Sequence, residues 1–391
     1  MKLTKLYIHN YKSFYDTTIE LDKLNIVVGE NNSGKSNLID ILEFIDIAMS
    51  KDIERAIDEK GGYDRIKNYS AVGEEKVVVR ATFSDVSIGL VIEDKIKSDW
   101  QIPQYITFSF SFSSKYSILT WSIKINTKKN ETIHYLLSNK KYFEKTKEKK
   151  IRSFVFTKSY TNEEKQVIKA MTVGFTHNGI SLISTYYFDA QKIRTLSNQD
   201  SKYSELLKDG SNLGKVLYEI KEKDKSRFEA ISNSLITTVN EIDGIEVYKV
   251  AGNYIIAFKE RGKEPIPIHI VSDGTINFLA TMTALNQPTT DFLLAFEEPE
   301  RHLHFKVVNY LLESFRNSNK QIIITTHSTE MLKYANLNEV IFIYRNRDGD
   351  TKTIRADRIP NLKEKMEYMK YERCMTLDEM LDEDMVWDFE E

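Results

Sequence analysis

Residues 24–40 read LNIVVGENNSGKSNLID, and this stretch decides the fold. LNIVV is a short β-branched, apolar run of the kind that forms a buried strand. GENNSGKS, at 29–36, matches G-x-x-x-x-G-K-[ST]. From Asn37 the spacing predicts a helix over 37–49, with Leu38, Ile41, Leu42, Ile45 and Ala48 on one face. Strand, glycine loop and helix in that order make a phosphate cradle. Gly29 and Gly34 let the backbone curl, so that the N–H groups of Glu30, Asn31, Asn32 and Ser33 turn inward at phosphate oxygens. The helix N-terminus at Asn37 adds the positive end of its dipole. Lys35 brings a point charge to the β- and γ-phosphates, and the Ser36 hydroxyl is a ligand for Mg²⁺.

A cradle of this kind needs acidic partners. Residues 292–300 read FLLAFEEPE, an apolar strand running into Glu297 and Glu298. Neighbours on a strand point to opposite sides. Glu297 is therefore assigned to magnesium, through water, and Glu298 to polarising the attacking water. Residues 321–328, QIIITTHS, form another buried strand ending at His327. In parallel α/β sheets functional groups gather at the C-terminal strand ends. Lys35, Glu298 and His327 are expected on that edge, with His327 sensing the γ-phosphate. VSDGT, at 271–275, precedes a helix from near Ile276. Two explanations stand for it. Ser272, Asp273 and Gly274 form a second anion-binding surface for a nucleotide held by another subunit, or Ser272 or Asp273 is a plain N-cap.

Around these motifs, runs 3–9, 17–28, 77–93, 104–125, 246–257 and 266–271 are expected as strands. Strand-like runs also recur between 151 and 189. Residues 202–240, 274–286 and 303–317 are expected as helices, and the charged run 139–150 as a surface turn or short helix. Strands alternating with helices in the last third imply a parallel sheet. RDGD, at 347–350, is expected to turn a hairpin between IFIY and TKTIRA.

The 391 residues carry 55 Lys+Arg against 58 Asp+Glu, a net charge of −3, which excludes a uniformly basic nucleic-acid coat. The one cysteine, Cys374, excludes a disulfide framework or cysteine metal cluster and suits a reducing cytosol. Charges interrupt every apolar run before it reaches the roughly 18 residues of a membrane span. The N-terminal MKLTKLYIHNYKSFYD lacks a secretory signal's apolar stretch, so a cytoplasmic protein without membrane contact is expected.

Taken in order, LYIHNYKSF, VVGENNSGKSNLID, VSDGTINFLA, LLAFEEPERHLH and IITTHSTEML resemble the ABC-type ATPase heads. Within them they resemble the RecF/SMC/OLD-like branch, the AAA_21 type of AAA family ATPase. LKDGSNLGKVLYEI, at 207–220, also looks like that family. The resemblance covers roughly residues 1–95 and 185–345. It implies an α/β fold: a P-loop NTPase head, ABC-ATPase-like, with an antiparallel β lobe and a mixed α/β insertion. The chain then divides into 1–95, the N-terminal part of the head; 96–185, a β-rich insertion; 186–345, a helical segment and the C-terminal part of the head; and 346–391, an extension with an acidic tail. The resemblance implies ATP hydrolysis with Mg²⁺ in a head-to-tail dimer holding two ATPs. In that dimer Ser272 and Gly274 reach across to the γ-phosphate and His327 is the switch histidine. Lys12 and Ser13 match the segment lining the adenine side. Two departures stand out: SDGT replaces an SGGQ-like signature, and the first Walker B acid is Glu297 rather than Asp. No Q-loop glutamine stands out; Gly61-Gly62-Tyr63-Asp64 occupies that place without an assigned role.

Three functions follow. The first is an ATP-driven switch controlling a separate effector protein, as in antiviral defence; the 64 residues after His327 are too few for the TOPRIM nuclease of OLD proteins. The second is a RecF-like DNA-repair ATPase. Lys124–Lys169 holds 13 basic and five acidic residues with Tyr135, Tyr142, Phe143, Phe154 and Phe156 interleaved. That stretch is a DNA-facing patch, or a solvated face of a Lys-rich chain. The third, a transporter ATPase subunit, is opposed by EEPE and by the insertion between 95 and 185. The tail from Leu377, with eight acids among Leu381, Met385, Trp387 and Phe389, is a docking element or a frayed acidic end.

Overall fold

The structure, a computed structural model, describes residues 1–71, 75–84, 105–114, 116–126, 132–142, 149–153, 181–195, 204–260, 262 and 264–364. The tail from 377 and most of the basic stretch lie outside the described residues, apart from strand segments at 124–126, 132–142 and 149–153.

Two sheets carry the head. The first is antiparallel, in the order β2-β1-β4-β5-β6-β7-β8. Its strands are β1 (Lys2–His9), β2 (Thr17–Glu20), β4 (Val77–Ser84), β5 (Tyr105–Phe112), β6 (Tyr116–Asn126), β7 (Thr132–Tyr142) and β8 (Lys149–Ser153). The second runs β16-β15-β3-β14-β13-β9. It comprises β3 (Leu24–Val28), β9 (Ile183–Tyr186), β13 (Leu293–Glu297), β14 (Gln321–Thr326), β15 (Val340–Arg345) and β16 (Thr351–Arg355). Its inner pairings are parallel, and only the edge hairpin β15–β16 is antiparallel. A small sheet of β10 (Ile242–Val250), β11 (Asn253–Glu260) and β12 (Ile266–Pro267) completes the strands.

Burial explains why LNIVV is apolar apart from Asn25. All five residues of β3 are buried, because the parallel sheet is covered on both faces. Ile26 and Val28 pack into one core with Leu294, Phe296, Ile322 and Ile324. That core is closed by α5 (Leu213–Lys223), α6 (Lys225–Thr238), α7 (Asp273–Asn286) and α8 (Phe305–Asn317). Val27, Ala295, Ile323 and Ile341 face the other core, against α1 (Lys35–Ser50) and the antiparallel sheet. The remaining helices are short: α2 (Ile53–Glu59), α3 (Tyr63–Ile66), α4 (Ala190–Arg194) and α9 (Thr329–Leu332).

Several expected elements change. The run 17–28 is two strands in two sheets. Asn25 accepts from the Asp22 N–H and donates to the Asp22 carbonyl, both at 2.7 Å, and so turns the chain between them. The run 104–125 is the β5–β6 hairpin. The charged run 139–150 ends in strand on both sides, with Tyr142 opposite Lys149. Among the described residues β8 is the last strand of this sheet, and residues 143–148 of the run lie outside the described residues. Residues 204–212 form turns rather than helix; Asn212 accepts from the Leu207 N–H and donates to the Glu205 carbonyl, both at 2.8 Å. At 266–271 only two residues are strand, and a 3-10 turn follows.

Candidate nucleotide site

The loop 29–36 leaves β3 and enters α1 through Gly34, whose φ is 117°. A side chain there would meet Thr351 Oγ1 at 2.5 Å, and one at Gly29 would meet the Ile343 carbonyl at 2.1 Å, so glycine is required at both. Lys35 is buried, and its ammonium donates to the Gly29 and Glu30 carbonyls at 2.6 and 2.7 Å. Burial lowers its pKa, and the carboxylates of Glu298, Glu297, Glu30 and Glu300 act against that. Glu30, Asn31, Asn32 and Ser36 are exposed on the loop, Asn37 is half-buried, and Ser33 is buried with an unpartnered hydroxyl. An exposed turn of backbone closing on a buried lysine suits a bound phosphate chain.

Glu297 is the last residue of β13, and its carboxylate accepts a short hydrogen bond from Ser36. Among the described residues no three His, Cys, Asp or Glu side chains form a metal cage. Mg²⁺ needs none, because it keeps waters and phosphate oxygens and takes one or two protein oxygens. Ser36 and Glu297, bonded to each other, carry oxygens of that kind.

Glu298 is not placed by strand alternation. It lies one residue beyond β13 with φ 48°, a left-handed conformation that non-glycine residues rarely hold. The Glu298 N–H donates to the Thr325 carbonyl at 2.9 Å. Its carboxylate meets His327 Nδ1 at 2.8 Å, just past the end of β14. The structure thus brings Lys35, Ser36, Glu297, Glu298 and His327 to the C-terminal ends of three adjacent parallel strands.

Ser272 N-caps α7, its Oγ accepting from the Thr275 N–H at 3.2 Å. Asp273 pairs with Arg194 at 2.5 Å, and Arg194 also donates to the Val271 carbonyl at 2.8 Å. Gly274 is buried against the loop after β13, where a Cβ would lie 2.2 Å from the His302 carbonyl. An open cleft of ≈ 590 Å³ lies between these elements, lined by Asp273, Asn277, Glu297, Glu298 and residues 187–191 among others.

Lys12 and Ser13 behave differently from each other. Lys12 pairs with Asp40 of α1 at 2.6 Å and stays partly exposed. Asp40 also binds Lys60 at 2.6 Å and accepts from the Tyr11 hydroxyl at 2.8 Å. Burial would raise the Asp40 pKa, but Lys12 and Lys60 outweigh it and hold the carboxyl below its ordinary value. Ser13 is buried; its Oγ accepts from Asn37 at 2.7 Å and lies at hydrogen-bond distance, 2.8 Å, from the Thr351 hydroxyl, so it braces the loop from beneath. Gly61 and Gly62, both at positive φ, turn the chain from α2 into α3, whose Tyr63 is buried.

Four contributors escape sequence reasoning. Thr351 donates to the Ser33 carbonyl at 2.8 Å, and Arg345 Nε donates to the Asn32 carbonyl at 2.9 Å. Both lie more than 300 residues from the loop they hold, and no local motif marks them. Arg194 likewise carries no motif. Glu300 is signalled only as the third acid of EEPE.

A phosphate loop between β3 and α1, an acid pair after β13 and a histidine after β14 define a P-loop ATPase with an ABC/SMC-like head. The family model described as "AAA domain, putative AbiEii toxin, Type IV TA system" (AAA_21) matches residues 24–333, and the chain belongs to that family. A Helicobacter pylori protein named ATP/GTP phosphatase is 23% identical over 351 residues, covering 83% of this chain and 85% of that protein. Among solved structures, an SMC head bound to the C-winged helix domain of ScpA is similar at TM-score 0.51 and 17% identity, covering 90% of this chain and 98% of that one. A Pyrococcus furiosus SMC head with an extended coiled coil, bound to the C-terminal domain of ScpA, is similar at TM-score 0.51 and 16% identity, covering 95% and 99%. These two likenesses are of fold. Among the described residues no helix is long and apolar enough to cross a membrane.

Proposed function

We propose that the protein is an ATP-driven switch: two heads close on ATP, hydrolysis parts them, and a separate effector protein reads the closed state, as in antiviral defence. The observation that carries this is the division of the site. Lys35, Ser36, Glu297, Glu298 and His327 gather at one sheet edge. The exposed Ser272 at the start of α7 has no hydrogen bond or ion pair to residues 29–36 among the described residues. A helix end held by Arg194 yet separate from its own phosphate loop suits a nucleotide carried by a second copy.

Within one head, Lys35 and the loop N–H groups hold the phosphates, and Ser36 with Glu297 would hold Mg²⁺, which would supply charge neutralisation at the triphosphate. Glu298 takes the proton of the attacking water, and His327 orients Glu298 while facing the γ-phosphate. Ser272, Asp273 and Gly274 complete the partner's site. Lys12 lines the adenine side, and Ser13 supports the loop. The relative named ATP/GTP phosphatase supports triphosphate hydrolysis. The SMC heads bound to ScpA domains support a head surface that receives a separate protein.

Glu298→Gln tests the scheme. It keeps shape and removes charge. Turnover should fall at least ~100-fold, ATP–Mg²⁺ binding should persist, and light scattering should show an accumulated dimer. Near wild-type turnover, or a monomer at saturating ATP, refutes it. Turnover stimulated by duplex DNA would instead favour a RecF-like repair role, which the basic stretch 124–169 supports.

A further inference from the structure

The loop after β13 and the loop after β14 are tied together twice. The outer tie is Glu298 to His327. The inner tie is Glu300 to Thr326, the last residue of β14, whose hydroxyl donates a short hydrogen bond to the Glu300 carboxyl. Thr326 Oγ1 accepts from the Ser328 N–H at 2.9 Å, so the hydroxyl proton is committed to Glu300. Ser328 and Thr326 flank His327. Both neighbours of the histidine are therefore fixed by one chain of hydrogen bonds that ends on Glu300.

On the acidic side the same residue takes part through its backbone carbonyl. Glu298 sits in a left-handed conformation that persists only where its surroundings impose it. The turn that imposes it is closed by the Arg301 N–H on the Glu298 carbonyl at 3.0 Å and by the Leu303 N–H on the Glu300 carbonyl at 2.9 Å. Glu300 is 7% exposed, and its second carboxyl oxygen is buried without a partner. A lone structural bond does not need a carboxyl so deeply buried, since a neutral group would cost less there.

We propose that Glu300 is a positioning residue for hydrolysis, acting through Thr326 to hold His327 and Glu298 in register. This rests on Glu298 being the base. Burial raises the Glu300 pKa to about 7 against the Thr326 bond; Glu298 adds to the rise and His327 opposes it, while Lys35 lies within reach of the same field. When protonated, the carboxyl adds no second negative charge beside Glu298.

Thr326→Val keeps volume and removes the hydroxyl; Thr326→Ser restores it. In the full chain, Thr326→Val and Glu300→Ala should each lower kcat about tenfold or more with ATP affinity changed less than about twofold. Thr326→Ser should recover most of kcat, and the Thr326→Val/Glu300→Ala pair should be no worse than the worse single variant. Wild-type turnover in Thr326→Val, or a fall in kcat, affinity and melting temperature together that Thr326→Ser does not reverse, overturns the proposal. Glu298→Gln is run alongside. If it turns over normally, the assignment of the base has failed. If it is inactive while Thr326→Val is normal, only the positioning role has failed.

Discussion

Glu300 makes stability depend on pH in a way that one substitution isolates. Its carboxyl has an ordinary value of 4.5 and is raised by burial to about 7 in the folded chain. From 4.5 to about 7 is about 2.5 pH units, worth about 3 kcal/mol at 1.36 kcal/mol per unit. In that window the folded chain holds a proton that the unfolded chain has lost. Stability therefore falls as pH rises from 4.5 to about 7 and levels off above it. Other carboxyls act too. Burial raises Asp46 and Glu205, whereas bonds to lysine lower Asp40 and Glu43 despite burial. All four are unchanged by Glu300→Gln and cancel in the comparison. Glutamine keeps an acceptor for Thr326 but buries an amide with no partner, an offset of about 1–3 kcal/mol that does not vary with pH. Relative to wild type, Glu300→Gln should thus gain about 3 kcal/mol between about pH 4.5 and pH 8. For 391 residues at about 2.1 cal/mol/K each, that is a relative gain of about 4 °C in melting temperature. Calorimetric scans of both proteins across the range measure it. Melting curves that stay parallel with pH would show that the carboxyl ionises normally and refute the reasoning.

Lys35→Ala should abolish nucleotide binding by calorimetry, because it removes the ammonium that closes on the phosphate loop; tight ATP binding counts against the cradle. On the proposed dimer, Ser272→Arg should leave ATP binding by the monomer intact while blocking dimerisation and turnover, since the added cation would fill the face proposed for the partner's phosphate. Normal turnover would leave Ser272 as a helix cap alone. Gly274→Ala places a Cβ 2.2 Å from the His302 carbonyl. It should cost about 1–3 kcal/mol and lower turnover by displacing the loop that holds Glu298; a melting temperature and rate equal to wild type would show that the loop yields freely.

The parallel sheet was legible because its central strands are apolar runs interrupted only by Asn25 and Gln321 before their polar ends. LNIVV, LLAF and QIII are buried on both faces and leave no ambiguity with amphipathic elements. The antiparallel sheet was legible only in kind. The run 17–28 holds apolar residues on both sides of Asp22-Lys23, so periodicity did not show that Asn25 turns the chain into another sheet. Of the charged run 139–150, residues 139–142 and 149–150 are paired as strand, and residues 143–148 lie outside the described residues.

At the site, what was legible is what is contiguous. The phosphate loop is eight consecutive residues whose glycines are required by contacts at 2.1 and 2.5 Å, and the loop chemistry follows from them. Its bracing is not contiguous. Thr351 and Arg345 come from the hairpin β15–β16, and Arg194 from a five-residue helix, each at a separation that no spacing rule reaches. Glu298 shows the limit within a motif. Alternation along a strand does not place Glu298 relative to Glu297. The strand has ended, and a positive φ, held by the Thr325 carbonyl and by the turn through Glu300, sends the carboxylate to His327. A strained backbone of this kind costs about 1–3 kcal/mol, and the bonds that hold it converge on the same loop that lies against Gly274. The loop that carries Glu298 therefore also packs against Gly274 in the first turn of α7, two residues from the Ser272 cap.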